Sequence, residues 1–184
     1  MTWLQSLDTN LLFFIQAHLV TPLLAPIMLF FSTIGDKGML WLAIGALLLV
    51  KKKYRPAGIA VLLAVGMGFV VGNLTLKPLL ARPRPCWLYP EVPLLLPVPD
   101  DFSFPSGHTL ASFAAATALF QSNKKFGVPA LIVAAVIGFS RLYLFVHFPS
   151  DVLCGAALGV LCGTAAVWLV KHTLRKGPQF PIAV

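Results

Sequence analysis

Residues 140–151, SRLYLFVHFPSD, set an arginine, a histidine and an aspartate into an almost unbroken apolar background. Charged and titratable groups are costly in such surroundings, so their presence points to use. His147 and Asp151 are four residues apart, and Pro149 suits the first turn of a helix, which puts the carboxylate within reach of the imidazole. A carboxylate accepting from one ring nitrogen leaves the other free as a nucleophile and stabilises the cation that forms. Taken alone, the pair could equally be a buried structural contact. Arg141 lies six residues before His147, off the same helical face, so a bend must separate them if both are to meet one anion.

Two earlier stretches supply matching chemistry. Lys77, Arg82 and Arg84 crowd three cations into the run KPLLARPRP. Adjacent cations repel unless an anion joins them, and guanidinium groups match phosphate oxygens bidentately. A positively charged belt that holds lipid headgroups without chemistry would read the same way. Further on, FPSGH opens a helix at residues 104–108. Backbone N–H groups at a helix start have no intrahelical partner, and Gly107 lets an oxyanion approach them. His108 can give a proton to a leaving oxygen near neutral pH. The competing reading of Ser106 is a plain N-cap.

These stretches are embedded in a chain of 184 residues that is 58% hydrophobic and 11% charged, with a mean hydropathy of +0.87. Soluble domains carry about 25% charged residues, so the composition predicts an integral membrane protein. The net charge of +8 does not predict a nucleic-acid partner, because its Lys and Arg residues are dispersed between apolar runs. Cys86, Cys154 and Cys162 make no disulfide framework and read as small apolar filler. The six acidic residues form no evident carboxylate cluster for a hard cation. No cleavable leader is expected from the first ten residues.

At roughly 20 apolar residues per crossing, the length predicts one domain, residues 1–184, an all-α bundle of six transmembrane helices. The expected spans are residues 11–34, 39–50, 57–76, 106–121, 127–145 and 149–170. Pro22 and Pro26 interrupt the first. They either kink it or start it late, with an interfacial N-terminal helix before a span from about residue 22. A turn is expected at residues 35–38. Eight prolines between residues 78 and 105 exclude a continuous helix and predict an irregular cap, dipping into the interface through Trp87, Tyr89 and Leu94–Leu96. The basic clusters at residues 51–55 and 124–125 and the tail with Lys171, His172, Arg175 and Lys176 mark the cytoplasmic side by the positive-inside rule. Both termini then lie inside, and Lys77, the cap, residues 106–108 and residues 141–151 share the opposite face.

The pattern Lys77-x6-Arg84-Pro85, then Pro105-Ser106-Gly107-His108, then Ser140-Arg141-x5-His147-x3-Asp151 resembles the three-part signature of the type 2 phosphatidic acid phosphatase superfamily, over about residues 57–170. The resemblance implies that Lys77, Arg84 and Arg141 bind phosphate oxygens, with Ser106 and the Gly107 amide completing the cradle. It implies a phosphohistidine on His147, held by Asp151, with His108 protonating the leaving group and then activating water. Cationic side chains stand in for metal in such a scheme, so neither metal nor cofactor is expected. Arg82 is outside the signature and is assigned an auxiliary part.

The resulting expectation is a metal-independent lipid phosphatase at the outer face of a bacterial inner membrane. A polyprenyl diphosphate such as undecaprenyl diphosphate is the favoured substrate, by family analogy. Phosphatidylglycerol phosphate and phosphatidic acid are the alternatives, beside phosphotransfer to another acceptor and non-catalytic lipid-phosphate binding. Nothing in the sequence fixes the oligomeric state.

Overall fold

The computed structural model describes residues 3–176, and every regular element in that range is helical. The ends of the expected 1–184 domain, residues 1–2 and 177–184, lie outside it, as do the side chains of Arg175 and Lys176. The helices are α1 (Trp3–Leu19), α2 (Ala25–Ile34), α3 (Met39–Val50), α4 (Arg55–Gly68), α5 (Lys77–Leu80), α6 (Pro85–Leu88), α7 (Gly107–Ser122), α8 (Lys124–Tyr143) and α9 (Pro149–Lys176). A π-helical stretch, Phe69–Leu76, joins α4 to α5.

Helix α7 is the centre of the bundle and packs on α4, α8 and α9. Four of its five alanines, Ala114, Ala115, Ala116 and Ala118, are fully buried, and short side chains there let the neighbours close in. The tightest seam is with α9. A Cβ on Gly155, Gly159 or Gly163 would come within 2.8, 2.6 or 2.5 Å of the carbonyl oxygens of Ser106, Leu110 and Ala114 respectively. Small residues at this spacing allow the backbones to touch. The contacts advance together along both chains, so α7 and α9 run parallel from a common end. Conversely, Leu47, Ile132, Leu153, Leu161 and Trp168 stand more than 60% exposed. An outer surface this apolar is suited to lipid, not water.

Three segments are long and apolar enough to cross a bilayer, Lys52–Leu88, Lys124–Tyr143 and Pro149–Thr173, and the pair α2 and α3 makes a fourth if taken as one broken span. This falls short of the six expected. The expected turn at residues 35–38 does not reverse the chain: α2 and α3 meet at a bend of only 45°. Lys37 (φ 49°) and Gly38 (φ 70°) adopt left-handed conformations there, enough to kink a helix while its direction carries on.

The segment before α2 packs along one end of the bundle. Two contacts eight residues apart on α1, Asp8 to the Ser150 amide and Gln16 to the carbonyls of Leu142 and Tyr143, both fall at the same end of the bundle. A helix touching one end at both places lies across it. Asp8 and Leu12 face inward, and Leu4, Leu7, Leu11 and Phe14 face out, an amphipathic pattern fitted to the headgroup boundary. The exposed Lys51–Lys53, Lys124, Lys125 and Lys171 gather at the other end, where Tyr54 meets Phe126 edge to face at 5.9 Å. Within the bundle, residues 3–19 lie at the site end and Thr173 at the other.

Candidate active site

At the end opposite the basic turns, a cavity of about 890 Å³ gathers Lys77, Arg84, Gly107, His108, Arg141 and His147. They come from four separate elements. The π-helical stretch carries the chain from α4 into α5 and delivers Lys77, and an extended link at Arg84 follows the left-handed Ala81 (φ 42°). π-helical turns are frequent at functional sites. Gly107 starts α7 hard against Asn73, whose Oδ1 would lie 3.0 Å from a Cβ at that position. The bend expected between Arg141 and His147 is present: α8 stops at Tyr143, and Phe145 turns the chain with φ 59°.

Lys77, Arg84 and Arg141 are 7%, 3% and 5% exposed. Three buried cations around one cavity are a strong electrostatic demand for an anion, since a buried charge must be paired. Asp101, from the proline-rich cap, answers part of it. Its carboxylate bonds Lys77 Nζ and, at 2.5 Å, Arg84 Nη2, and its carbonyl accepts from Arg84 Nε at 2.6 Å. Burial pushes this carboxyl up, but the Lys77 hydrogen bond and the charges of Arg84 and Lys77 outweigh it and bring it to about 2. Arg141 donates to Ser32 of α2, and its buried Nε has no protein partner. A buried, unsatisfied guanidinium N–H is unusual and fits an anion in the cavity.

His147 presents different surroundings to its two nitrogens. Nε2 lies 3.1 Å from Arg84 Nη1, on the side of the cations. Nδ1 lies 3.4 Å from Ser103 Oγ and 3.7 Å from Asp151 Oδ2. Ser103 Oγ donates to the same carboxylate oxygen at 2.6 Å, so the serine hydroxyl lies beside both ring and carboxylate. The Asp151 carboxylate, fully buried, also accepts from the Phe148 amide at 2.8 Å and from Arg82 at 2.5 Å. Burial, and then the cations Arg84, Arg141 and Lys77, hold the His147 imidazole well below its ordinary value, which keeps it neutral. His108 Nε2 is 3.8 Å from Asp36 Oδ1.

Three expected site residues do not line the cavity. Ser106 is buried, with Oγ against Thr109 Oγ1 at 2.9 Å and the Thr109 amide at 3.5 Å, the N-cap arrangement. Asp151 and Arg82 lie behind His147. Sequence reasoning missed Asp101, Ser103, Asp8, Ser32 and Asn73. Of these, Asp101 and Ser103 sit just before FPSGH and were open to suspicion as polar residues beside a motif. The remaining three are polar residues in largely apolar helices, each with other polar residues close by in sequence, so none stood out. Among the described residues no group of three His, Cys, Asp or Glu side chains is placed to hold a metal ion. Cys86, Cys154 and Cys162 are free thiols.

The chain is similar to known proteins in sequence and in fold. The chain is 37% identical to an undecaprenyl-diphosphatase of Sulfolobus acidocaldarius over 72% of its length, spanning 64% of that protein, less than two thirds. Its fold is similar to that of Aquifex aeolicus LpxE, with a TM-score of 0.80 at 30% identity, over 91% of this chain and 99% of that one. It is also similar to a PAP2-type phosphatidylglycerolphosphate phosphatase from Bacillus subtilis, with a TM-score of 0.74 at 28% identity, over 98% and 90% of the two chains. The family model that matches residues 56–175 spans all three polar stretches from Lys77 to Asp151, and with them the whole wall of buried cations and imidazoles: the chain belongs to the PAP2 superfamily.

Proposed function

We propose that this protein is a membrane lipid phosphatase that releases phosphate from a lipid diphosphate, a polyprenyl diphosphate first of all, through a phosphohistidine on His147. The observation that carries the reading is the ring of Lys77, Arg84 and Arg141, buried around a cavity into which His147 Nε2 and His108 both open. The similarity to an undecaprenyl-diphosphatase supports the choice of substrate.

In this reading the phosphate displaces the Asp101 carboxylate and takes over its hydrogen bonds from Lys77 and Arg84, with the free Nε of Arg141 completing the grip. The Gly107 amide, at the start of α7, adds a backbone donor. Nε2 of His147 attacks phosphorus as the bond to the leaving oxygen breaks, and His108 gives that oxygen a proton. The positive charge left on the imidazole is met by Asp151 through Ser103. Water, deprotonated by His108, then attacks phosphorus and breaks the N–P bond, so that both histidines return to their starting states. The cations do the electrostatic work of transition-state stabilisation. Ser106 serves this scheme as the cap that fixes the start of α7.

The site end of the bundle faces the outer side of a cytoplasmic membrane, and the basic end faces inward, as the distribution of lysine and arginine favours. α1 then lies in the outer interface.

The test is phosphate release by purified protein in detergent with a chelator present, across farnesyl diphosphate, a long polyprenyl diphosphate, phosphatidylglycerol phosphate and phosphatidic acid. Turnover of the diphosphates, lost in His147→Ala, is expected. Unimpaired turnover by His147→Ala would overturn the mechanism, and preference for a glycerol lipid would overturn the substrate.

A further inference from the structure

Behind His147, on the side away from the cavity, a buried ion network links Asp151 to the first helix of the chain. Arg82 donates through Nη1 to Asp151 Oδ1 at 2.5 Å and Ser150 Oγ at 2.7 Å. Its Nη2 donates to Asp8 Oδ2 at 2.7 Å and Gln5 Oε1 at 2.9 Å. Its Cζ lies 4.4 Å over the Phe148 ring. Asp8 is 2% exposed and accepts two more bonds, from the Ser150 amide at 2.8 Å and from Ser150 Oγ at 2.5 Å. The guanidinium is thus used on both forks, clamped between two carboxylates and stacked on an aromatic face, a geometry that lysine cannot reproduce.

None of Asp8, Arg82 or Asp151 lines the cavity, so whatever the first two do for the reaction passes through the third. We propose that Asp8 and Arg82 are positioning residues: Arg82 fixes the rotamer of Asp151, and Asp8, by sharing Arg82, keeps that carboxylate effectively charged. This rests on the function proposed above. The charge count gives the reason. One arginine between two carboxylates leaves a net charge of −1 directly behind His147, facing the three cations across the imidazole. Were Asp8 neutral, Arg82 would belong to Asp151 alone and the pair would sum to zero. The positive imidazole formed when Nε2 is phosphorylated would then face cations in front and no compensating charge behind. Low local dielectric makes such a difference count. The effect falls on the chemical step and not on phosphate binding, which belongs to Lys77, Arg84 and Arg141.

A purely structural role, pinning α1 to the start of α9, uses the same contacts, so the test must separate the two. Wild type, Asp8→Asn, Asp8→Glu, Asp151→Asn and the double variant Asp8→Asn/Asp151→Asn are purified in detergent and assayed for phosphate release from farnesyl diphosphate, with thermal unfolding measured beside it. Asp8→Asn is expected to lower kcat about 10- to 100-fold, the size of a lost charge-assisted hydrogen bond, with KM changed less than about 2-fold. Asp8→Glu should recover part of kcat. In the Asp151→Asn background, Asp8→Asn should cost less than about 2-fold more, because the group it acts through is gone. If Asp8→Asn fails to fold, Arg82→Lys, which keeps the charge and loses the fork, carries the same expectation. Losses that multiply in the double variant, a KM effect with kcat intact, or wild-type kcat in a folded Asp8→Asn protein would each overturn the inference while leaving the phosphatase reading standing. A wild-type protein without turnover of any lipid in the panel would overturn both.

Discussion

His147 is 1% exposed and has three cations on its cavity side, so its neutral form persists to pH values where an ordinary histidine, at about 6.5, is already charged. The sign of the consequence is fixed. Attack needs the neutral ring, a depressed value keeps it neutral as pH falls, and the free enzyme should keep its nucleophile at the pH where an ordinary histidine takes up a proton. A bound phosphate neutralises the same cations and raises the imidazole again. Profiles of kcat/KM, corrected for titration of the substrate itself, should therefore show no acid limb near 6.5 from loss of the nucleophile, with any acid limb of kcat lying at higher pH than that of kcat/KM. A corrected kcat/KM limb near 6.5 would contradict this. At this scale the three motifs were readable because each concentrates costly side chains in a few positions. Their supporting groups were not. Asp8 is 143 residues before the Asp151 it serves, and Ser103 is an ordinary serine until the fold puts it beside an imidazole and a carboxylate.

Between the residues and the bundle stands the cap. The prolines excluded a continuous helix through residues 78–105; α5 runs past Pro78 to Leu80, the single turn of α6 follows, and Trp87 anchors the remainder by donating to the Pro99 carbonyl at 3.0 Å. What the composition did not disclose is that the cap returns an aspartate to the cations. A carboxylate and a phosphate compete for Lys77 and Arg84, and an occupied site lowers apparent affinity by the fraction of time it is open. Asp101 stays ionised down to about pH 2, so this competition operates throughout the assay range. Asp101→Asn removes the charge, keeps the shape and leaves the backbone bond to Arg84 Nε intact. It should lower KM, and the inhibition constant of inorganic phosphate, about 3- to 10-fold. A raised KM would instead make Asp101 a support that holds Lys77 and Arg84 in place. The α2–α3 kink teaches the same lesson about elements. Gly35-Asp36-Lys37-Gly38 has the composition of a reversing turn, and only the packing of α2 on α8 turns it into a bend that continues.

For the molecule as a whole, hydropathy predicted a membrane bundle and the basic clusters predicted which ends of the helices belong together. The number of crossings was not legible, because an apolar helix lying in the interface and one crossing the bilayer have similar composition. They differ in which face is apolar. On α1 the inward face carries Asp8 and Gln16, both bonded at the site end, while the apolar stripe points out. With α1 in the interface, as proposed, the two ends of the described chain fall on opposite sides of the membrane, where six alternating crossings would set them on the same side. Single cysteines at Leu4 and Lys171, both exposed, in a background with Cys86, Cys154 and Cys162 replaced by alanine, distinguish the two arrangements. A membrane-impermeant thiol reagent applied to intact cells should label Leu4→Cys and spare Lys171→Cys, with the second labelled only after permeabilisation. Equal protection of both positions would return α1 to the bilayer as a crossing helix. The contacts of Asp8 with Arg82 and Ser150 would then have to form differently, because a helix that crosses cannot touch the same end of the bundle at residues 8 and 16.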